Sequence, residues 1–372
     1  MSNLLLADLT NATRTEITRK LPDVVSSKKN TLGILVGSQV LRTKKTGNAP
    51  FDILRSNDLA AGEAFQIDFQ VGFPVAVGAK AITGSMASLK LPQQANFNVV
   101  SGKITPSYYQ LREDIRTAQV ERVKKSPKVL GPNLASKISQ SAITGFMKKW
   151  NDDLFPDAGC TPCYAAGVNG IYQEDKMMAL AYPLQSGYVL NAASGSGTYP
   201  YIVDDMNATG YTTLKALNVG TTASGFGVMS PSNLRTKLTL PMEDIEGAMP
   251  NLLVCDSAVY DYGVLQAEGK VVIEQEDMPD YAFSGIAKYA GVYWLREGKL
   301  DTLYATTSYR EAYLLDANTW EFRWSGLDGE DALSITPDPD TKLLVTLLGK
   351  AATCLICHVP RYNARAYNVT LS

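Results

Sequence analysis

One histidine, His358, serves the whole chain of 372 residues. Imidazole is the commonest general base and metal ligand near neutral pH. A single copy excludes a two-histidine metal site within a chain and leaves little room for histidine-based catalysis. Carboxylate, lysine or serine–lysine chemistry stays open. Cysteine is scarce as well. Of five, four fall into two C-x-x-C pairs, Cys160/Cys163 and Cys354/Cys357, and Cys255 stands alone. The four thiolates make a zinc site only if the pairs meet in space. Buried or inert thiols are the better reading. Cys354 and Cys357 lie in an apolar, strand-like run, where an odd spacing sends side chains to opposite faces. Cys160-Thr-Pro-Cys163 sits in a turn after a helix, as a redox pair or with no role.

A surplus of positive charge is missing too. The 35 basic residues face 37 acidic ones, for a net charge of −2. A protein that wraps nucleic acid along its whole length needs Lys and Arg to replace counterions, so this chain does not grip it that way. Long apolar runs are equally absent. Residues 4–7 form a short patch that Asp8 interrupts, with no basic flank of the kind a secretory signal carries. The run 343–359 is broken by Thr346, Gly349, Lys350 and Thr353 and is too short and polar for a membrane span. The expected setting is cytosol-like, with no membrane partner. No G-x-S-x-G, Walker or dinucleotide fingerprint occurs, and Ser194-Gly-Ser-Gly197 lacks the strand–turn–helix context of a phosphate cradle. The acidic groups Asp338-Pro-Asp340, Asp328-Gly-Glu-Asp331 and Glu274-Gln-Glu-Asp277 lack calcium-loop spacing and read as solvated turns. No cofactor, metal or catalytic residue is expected.

What the chain does contain is ordinary globular material, 45% hydrophobic and 19% charged, in a length that calls for two or more lobes. Residues 2–21 have a partial helical rhythm in Leu5, Leu9, Ile17 and Leu21, stopped by Pro22. The stretch 30–64 reads as an extended arm with basic Arg42, Lys44 and Lys45. Next comes the cleanest local pattern. Phe65, Ile67, Phe69, Val71 and Phe73 alternate with Gln66, Asp68, Gln70 and Gly72, which predicts a half-buried strand. A second strand pattern over 97–104 completes a long hairpin. Two strands alone are marginal in water, so the hairpin implies a partner surface or a fold-back onto its own core.

Alternation continues over 108–123 through Tyr109, Leu111 and Ile115, and Lys124, Lys125 and Lys128 crowd the turn after it. Those lysines suit a neighbour's carboxylates or a packaged genome, although surface charge needs no such reason. Residues 132–155 form the best helix, capped by Gly131 with Pro132 in its first turn. The Gly-, Ser- and Thr-rich stretch 167–227 reads as short strands and loops. Ser230-Pro231 opens a helical stretch to about Met249, interrupted at Pro241. A buried strand over 251–256 precedes a helix capped by Ser257. Strands are expected at 271–273, 289–295, 303–307 and 312–315. A turn at 338–341 leads to a closing strand pair, 343–348 and 352–359. These last strands are too apolar to stand alone and must pair with something early in the chain.

This order resembles the major capsid proteins of tailed bacteriophages, the Hong Kong 97-type fold. Asn30-Thr-Leu-Gly-Ile34 and the basic 42–45 look like the family's arm, and 65–73 with the tongue after it like its extended loop. Leu111-Arg-Glu-Asp114 leads into 134–153, which resembles the spine helix. The most specific match is Pro250-Asn-Leu-Leu-Val-Cys-Asp256 with Tyr260, then Phe283-Ser-Gly-Ile-Ala-Lys-Tyr289-Ala-Gly-Val-Tyr293. Residues 164–227 have no convincing counterpart.

The resemblance implies an α+β fold with an N-terminal arm at 1–47 and an extended loop at 48–103. It implies a peripheral domain at 104–199 closed by return strands at 320–372, and an inserted axial domain at 200–319. Arm and loop would lie across neighbouring copies, which makes Phe65, Ile67, Phe69, Val71, Phe73, Arg42, Lys44 and Lys45 the expected intersubunit contacts. The implied function is a non-enzymatic subunit of an icosahedral virion shell. It would be assembled in the host cytoplasm as hexamers and pentamers around double-stranded DNA, without sequence-specific binding. Portal, decoration or scaffolding proteins are the further partners. The alternatives are an encapsulin-like compartment shell and a carboxylate-based enzyme of unrelated β-rich fold.

Overall fold

The computed structural model describes residues 3–26, 30–46, 65–70, 99–104, 106–125, 127–155, 180, 184, 202–203, 216–220, 225–245, 248–266, 287–289, 291–305, 310–326, 333–337 and 344–371. Helices α1 (Asn3–Ser26) and α2 (Thr31–Thr46) precede strands β1 (Phe65–Gln70), β2 (Val99–Ile104) and β3 (Ser107–Arg116). Helices α3 (Thr117–Lys125) and α4 (Pro127–Asp153) follow, then short strands β4 (Ile202–Val203), β5 (Leu217–Val219) and β6 (Gly227–Val228). A continuous helical run comprises α5 (Pro231–Asn233), a π-helical stretch (Leu234–Thr239) and α6 (Leu240–Glu243). Next are β7 (Leu252–Cys255), α7 (Ser257–Gln266), β8 (Ala287–Tyr289), β9 (Val292–Arg296), α8 (Gly298–Tyr304) and β10 (Arg310–Leu315). The chain closes with β11 (Trp320–Gly326), β12 (Leu333–Pro337), β13 (Leu344–Cys357) and β14 (Ala364–Thr370).

The first lobe is built on β13. Along one edge it pairs antiparallel with β3, from Leu344↔Arg116 to Thr353↔Ser107. Along the other it pairs first with β12 and then with β11. Helix α4 lies on the inner face of this sheet. Its buried Ala135, Ile138, Ala142, Ile143, Phe146, Met147 and Trp150 recur at three- and four-residue steps, while Lys137, Gln140, Thr144 and Lys148 face solvent. Trp150 fixes the contact: its ring lies 5.4 Å from Phe146, 5.3 Å from Phe322 of β11 and 6.4 Å, edge-on, from Tyr109 of β3. Each such aromatic pair adds about 0.5–1.5 kcal/mol beyond area burial. Helix α1 packs on α4 and β12, and α2 packs on α1, α4 and β11.

The second lobe is a mixed sheet in the order β5-β14-β10-β7-β9-β8, with β6 also on β14. Its central strands are apolar on both faces because both faces are covered. Leu252, Val254, Tyr293, Leu295, Tyr313 and Leu315 point into the core shared with the first lobe. Their alternates Leu253, Cys255, Val292, Trp294, Ala312 and Leu314 meet the 231–243 helical run and α7 in a second core. The closing segment does not stay in one sheet: β11–β13 join β3, whereas β14 crosses to pair with β10.

Several local expectations are corrected. The expected extended arm contains a helix, α2, whose residues 31–39 are all buried. Burial on every side removes the polar face by which an amphipathic helix shows its period. Helix α1 runs through Pro22 to Ser26, and α4 begins five residues before Pro132, at Pro127, itself suited to a first turn. Alternation after Tyr108 ends at Arg116, where α3 takes over. Residues 303–304 close α8 rather than open a strand. The closing pair is one fourteen-residue strand, β13, straight through Gly349-Lys350, because β3 pairs along it without a break. Helix α7 is capped by Asp256, whose Oδ1 accepts the Val259 amide at 3.1 Å. Ser230 does cap the 231–243 run, and Pro241 does not end it. The widened π turn before Pro241 moves away the Lys237 carbonyl that the ring would strike in an α-helix. The expected strand 271–273 and turn 338–341 lie outside the described residues.

Candidate intersubunit interface

The hairpin is present as a small sheet of its own. β1 and β2 pair antiparallel from Phe65↔Ile104 to Gln70↔Val99, and β4 adds to β2 at Gly102↔Val203 and Lys103↔Ile202. Phe65, Ile67 and Phe69 take alternate positions of β1, and Val71 and Phe73 fall outside the described residues. This sheet shares no strand with the two large ones.

The basic residues of α2 are placed differently. Lys44 and Lys45 lie in its last turn. Arg42 donates to the carbonyl of Trp320 at 3.0 Å and to that of Asn318, both in its own chain. Burial lowers its pKa against the pull of Glu321 and Asp316. One turn earlier, Gln39 Oε1 accepts the Phe322 amide at 3.1 Å. Two α2 side chains therefore satisfy backbone groups of β11 at its start, a common way of blunting a strand edge. The helix is anchored at its other end by Glu297, which is buried and accepts from Thr31 and Asn151. The resemblance implies an arm lying across neighbouring copies, yet the larger apolar side chains described in α1 and α2 are covered within the chain. Leu6, Leu9, Ile17, Leu32, Ile34, Leu35 and Val36 are buried against the chain's own core.

Several titratable side chains take part in hydrogen bonds within the fold. A cleft of about 410 Å³ at the end of β3 is lined by Glu113, Asp114, Gln119, Arg122, Leu134 and Lys137 among others. Its two carboxylates are consecutive on a strand and so leave on opposite faces. Glu113 accepts from Ser141 at 3.0 Å and Asp114 from Thr346 at 2.9 Å. Burial raises the pKa of Asp316, which caps the 3₁₀ turn before β11. Glu311 is wholly buried and held by Arg365 and the Tyr313 hydroxyl. His358 Nε2 lies 2.6 Å from Glu321 Oε2.

Burial pushes the Cys354 thiol up to about 12 and those of Cys255 and Cys357 higher still. Among the described residues no group of three His, Cys, Asp or Glu side chains is placed to hold a metal, and no helix is long and apolar enough to cross a membrane. Cys160, Cys163 and the acidic groups at 274–277, 328–331 and 338–340 lie outside the described residues.

Sequence reasoning misses the polar junctions Glu297–Asn151–Thr31 and Glu311–Arg365. For the second a signal exists, since Arg365 sits between Ala364 and Ala366 in a strand that turns out to be covered. For Glu297 no local signal exists.

No family model matches the sequence, and no curated protein does. Solved structures match in shape. A chain of the cyanophage A-1(L) capsid asymmetric unit superposes with a TM-score of 0.51 at 13% identity, covering 82% of this chain and 88% of that one. The encapsulin SrpI from Synechococcus elongatus matches with a TM-score of 0.44 at 11% identity over 74% of this chain and 79% of its own. The capsid of Myoviridae phage XM1 gives 0.40 at 10% identity over 85% and 90%. The chain has the α+β fold of a phage capsid protein, the fold that the Hong Kong 97-type resemblance implies.

Proposed function

We propose that this chain is a structural subunit that self-assembles into hexamers and pentamers of an icosahedral virus capsid enclosing double-stranded DNA. The observation that supports this reading is the fold shared with a cyanophage capsid chain across four-fifths of the length of both. The N-terminal helices do not add to it, because they complete their core in cis. The association surfaces we infer are the β1–β2 hairpin, with Phe65, Ile67, Phe69, Val71 and Phe73, and the basic end of α2 at Lys44 and Lys45. In this reading 104–199 and 320–372 form the peripheral domain, 200–319 the axial domain, 48–103 the extended loop and 1–47 the arm. Here the arm is a pair of helices laid on its own subunit. The place of the protein is the virion, after assembly in the host cytoplasm with portal, decoration or scaffolding proteins.

A structural role, not catalysis, fits the commitment of Glu113, Asp114, Glu311 and Glu321 to fixed hydrogen bonds. Electron microscopy and sedimentation of the expressed chain at high concentration, alone and with candidate assembly proteins, provide the test. Closed shells are expected. A monodisperse monomer under every condition would sink the reading, and shells filled with a cargo enzyme and no nucleic acid would favour the compartment alternative.

A further inference from the structure

The outer face of the β3–β13 pair is built unlike the inner one. Alternation places Tyr108, Gln110, Arg112, Asp114 and Arg116 on it, all exposed. Antiparallel register sets Lys350 beside Gln110 and Leu348 beside Arg112, and both are exposed too. At the Arg116 end this face runs into the cleft between β3, α3 and α4, because Asp114 belongs to both. The cleft adds the exposed cations Arg122 and Lys137. Arg116, Arg122, Lys137 and Lys350 have no ion-pair or hydrogen-bond partner among the described residues. Of the carboxylates here, Asp114 takes Arg112 at 3.4 Å and Thr346, and Glu113 takes the Ser141 hydroxyl, so one is ion-paired. In a chain that is net negative, the cations Arg112, Arg116, Arg122, Lys137 and Lys350 here outnumber the carboxylates Glu113 and Asp114 among the described residues of the face and cleft.

We propose that this surface binds the phosphodiester backbone of nucleic acid without reading its sequence. A row of ten strand residues is about 33 Å long and open, and Arg112 and Arg116 stand about 13 Å apart along it. That length and openness suit an extended polyanion. The Tyr108 hydroxyl and Gln110 amide are further donors to phosphate oxygens. The inference rests on the shell reading only for the source of the polyanion, the enclosed duplex.

The test uses the full chain below the concentration at which it associates, with a labelled mixed-sequence duplex of about 30 base pairs and anisotropy read from about 50 to 200 mM salt. If the four unpartnered cations engage, log K falls against log salt with a slope of roughly −3.6, about a hundred-fold loss over that range. Replacing Arg116, Arg122, Lys137 and Lys350 by Ser is expected to weaken low-salt binding at least about ten-fold and to flatten the slope toward zero. A control with Lys148→Ser and Arg235→Ser, exposed cations elsewhere, is expected to bind as the unmodified chain does. If circular dichroism shows the quadruple variant unfolded, the pairs Arg116→Ser/Lys350→Ser and Arg122→Ser/Lys137→Ser are measured, each to reduce the slope by about half. Unchanged binding in the folded variants overturns the inference, as does tighter binding of poly-glutamate than of duplex by the unmodified chain. Shells by microscopy without salt-dependent duplex binding overturn it and leave the shell reading standing. Duplex binding without shells does the reverse.

Discussion

Glu297 Oε2 accepts both the amide of Thr31, at 3.1 Å, and its hydroxyl, at 2.7 Å. Thr31 opens α2 and Glu297 caps α8, so one carboxylate ties the N-terminal helices to the second lobe. Its other oxygen takes Asn151 Nδ2 from α4 at 3.2 Å, and Asn151 Oδ1 in turn accepts the Leu32 amide at 3.1 Å. The negative charge also suits a helix N-terminus. Replacing Glu297 by Ala leaves buried donors on two elements without acceptors. A loss of about 2–4 kcal/mol in denaturant unfolding is expected, with α2 amides losing hydrogen-exchange protection first. Glu297→Gln, which keeps an acceptor oxygen, is expected to recover part of it. Unchanged exchange in α2 of the Ala variant would show that something else holds the helix.

Two helical glycines are expected to respond to alanine with opposite signs. A Cβ on Gly263 of α7 would lie 2.0 Å from the buried Trp294 ring, whereas one on Gly145 of α4 meets only Leu111 Cδ1, at 3.3 Å. Alanine gains about 1 kcal/mol over glycine in a helix interior. Overpacking against a fixed ring costs about 1–3 kcal/mol or more, so the clash wins at Gly263 and propensity wins at Gly145. Thermal melts of Gly263→Ala and Gly145→Ala check this. A stabilised Gly263→Ala would mean that α7 slides freely on β9.

The Glu311–Arg365 pair is fully buried between β10 and β14, at 3.0 and 2.7 Å, with Arg365 stacked on Tyr313 and Tyr367. Burial works against the Arg365 charge, but the Glu311 carboxylate, which also accepts its hydrogen bonds, outweighs it and raises the arginine pKa. Removing one partner strands a charge, at a cost of about 3–5 kcal/mol, while an apolar pair of similar volume is often neutral or better. Arg365→Met and Glu311→Leu are each expected to lower stability by that amount, and the double variant to recover most of it. Urea melts of the four proteins close the cycle. A double variant as unstable as the sum of the singles would show that the pair has no coupling.

Legibility in the sequence followed whether an element has one wet face. Residues 65–70 announce a strand because polar and apolar positions alternate, and α4 announces a helix because lysines face out opposite Phe146 and Trp150. Residues 31–39 are covered all round, and their Thr, Gly, Ile and Val content resembles a strand or an arm. Glycine usually punctuates a strand, so Gly349 suggests a break within 344–357, yet the sheet carries it. Pairing of β13 with an early strand was legible from its apolarity alone. The targets of Arg42 were not, since they lie 276 and 278 residues downstream. Cations such as Arg116 and Arg122 are visible one by one, but only register and packing bring them onto one surface with Lys350.

Acid sensitivity is expected to centre on Glu321. Burial alone would push its pKa up, but the hydrogen bonds from His358 and Arg323 outweigh that and hold it below the ordinary 4.5. A carboxylate with a depressed folded-state pKa stabilises the fold fully above its unfolded value and loses that contribution as pH falls through the folded one. The relevant window therefore lies below 4.5. Asp316, raised by burial, works the other way over part of the same range, so total stability against pH does not isolate Glu321. The difference between the unmodified chain and Glu321→Gln does, because Asp316 is common to both. That difference is expected to shrink steadily once the pH drops below 4.5. Denaturant melts at half-unit steps of pH would show it. A gap that stays constant down to about pH 3 would mean the carboxylate keeps its ordinary affinity for protons, and that its 2.6 Å contact with His358 contributes nothing to the charged form.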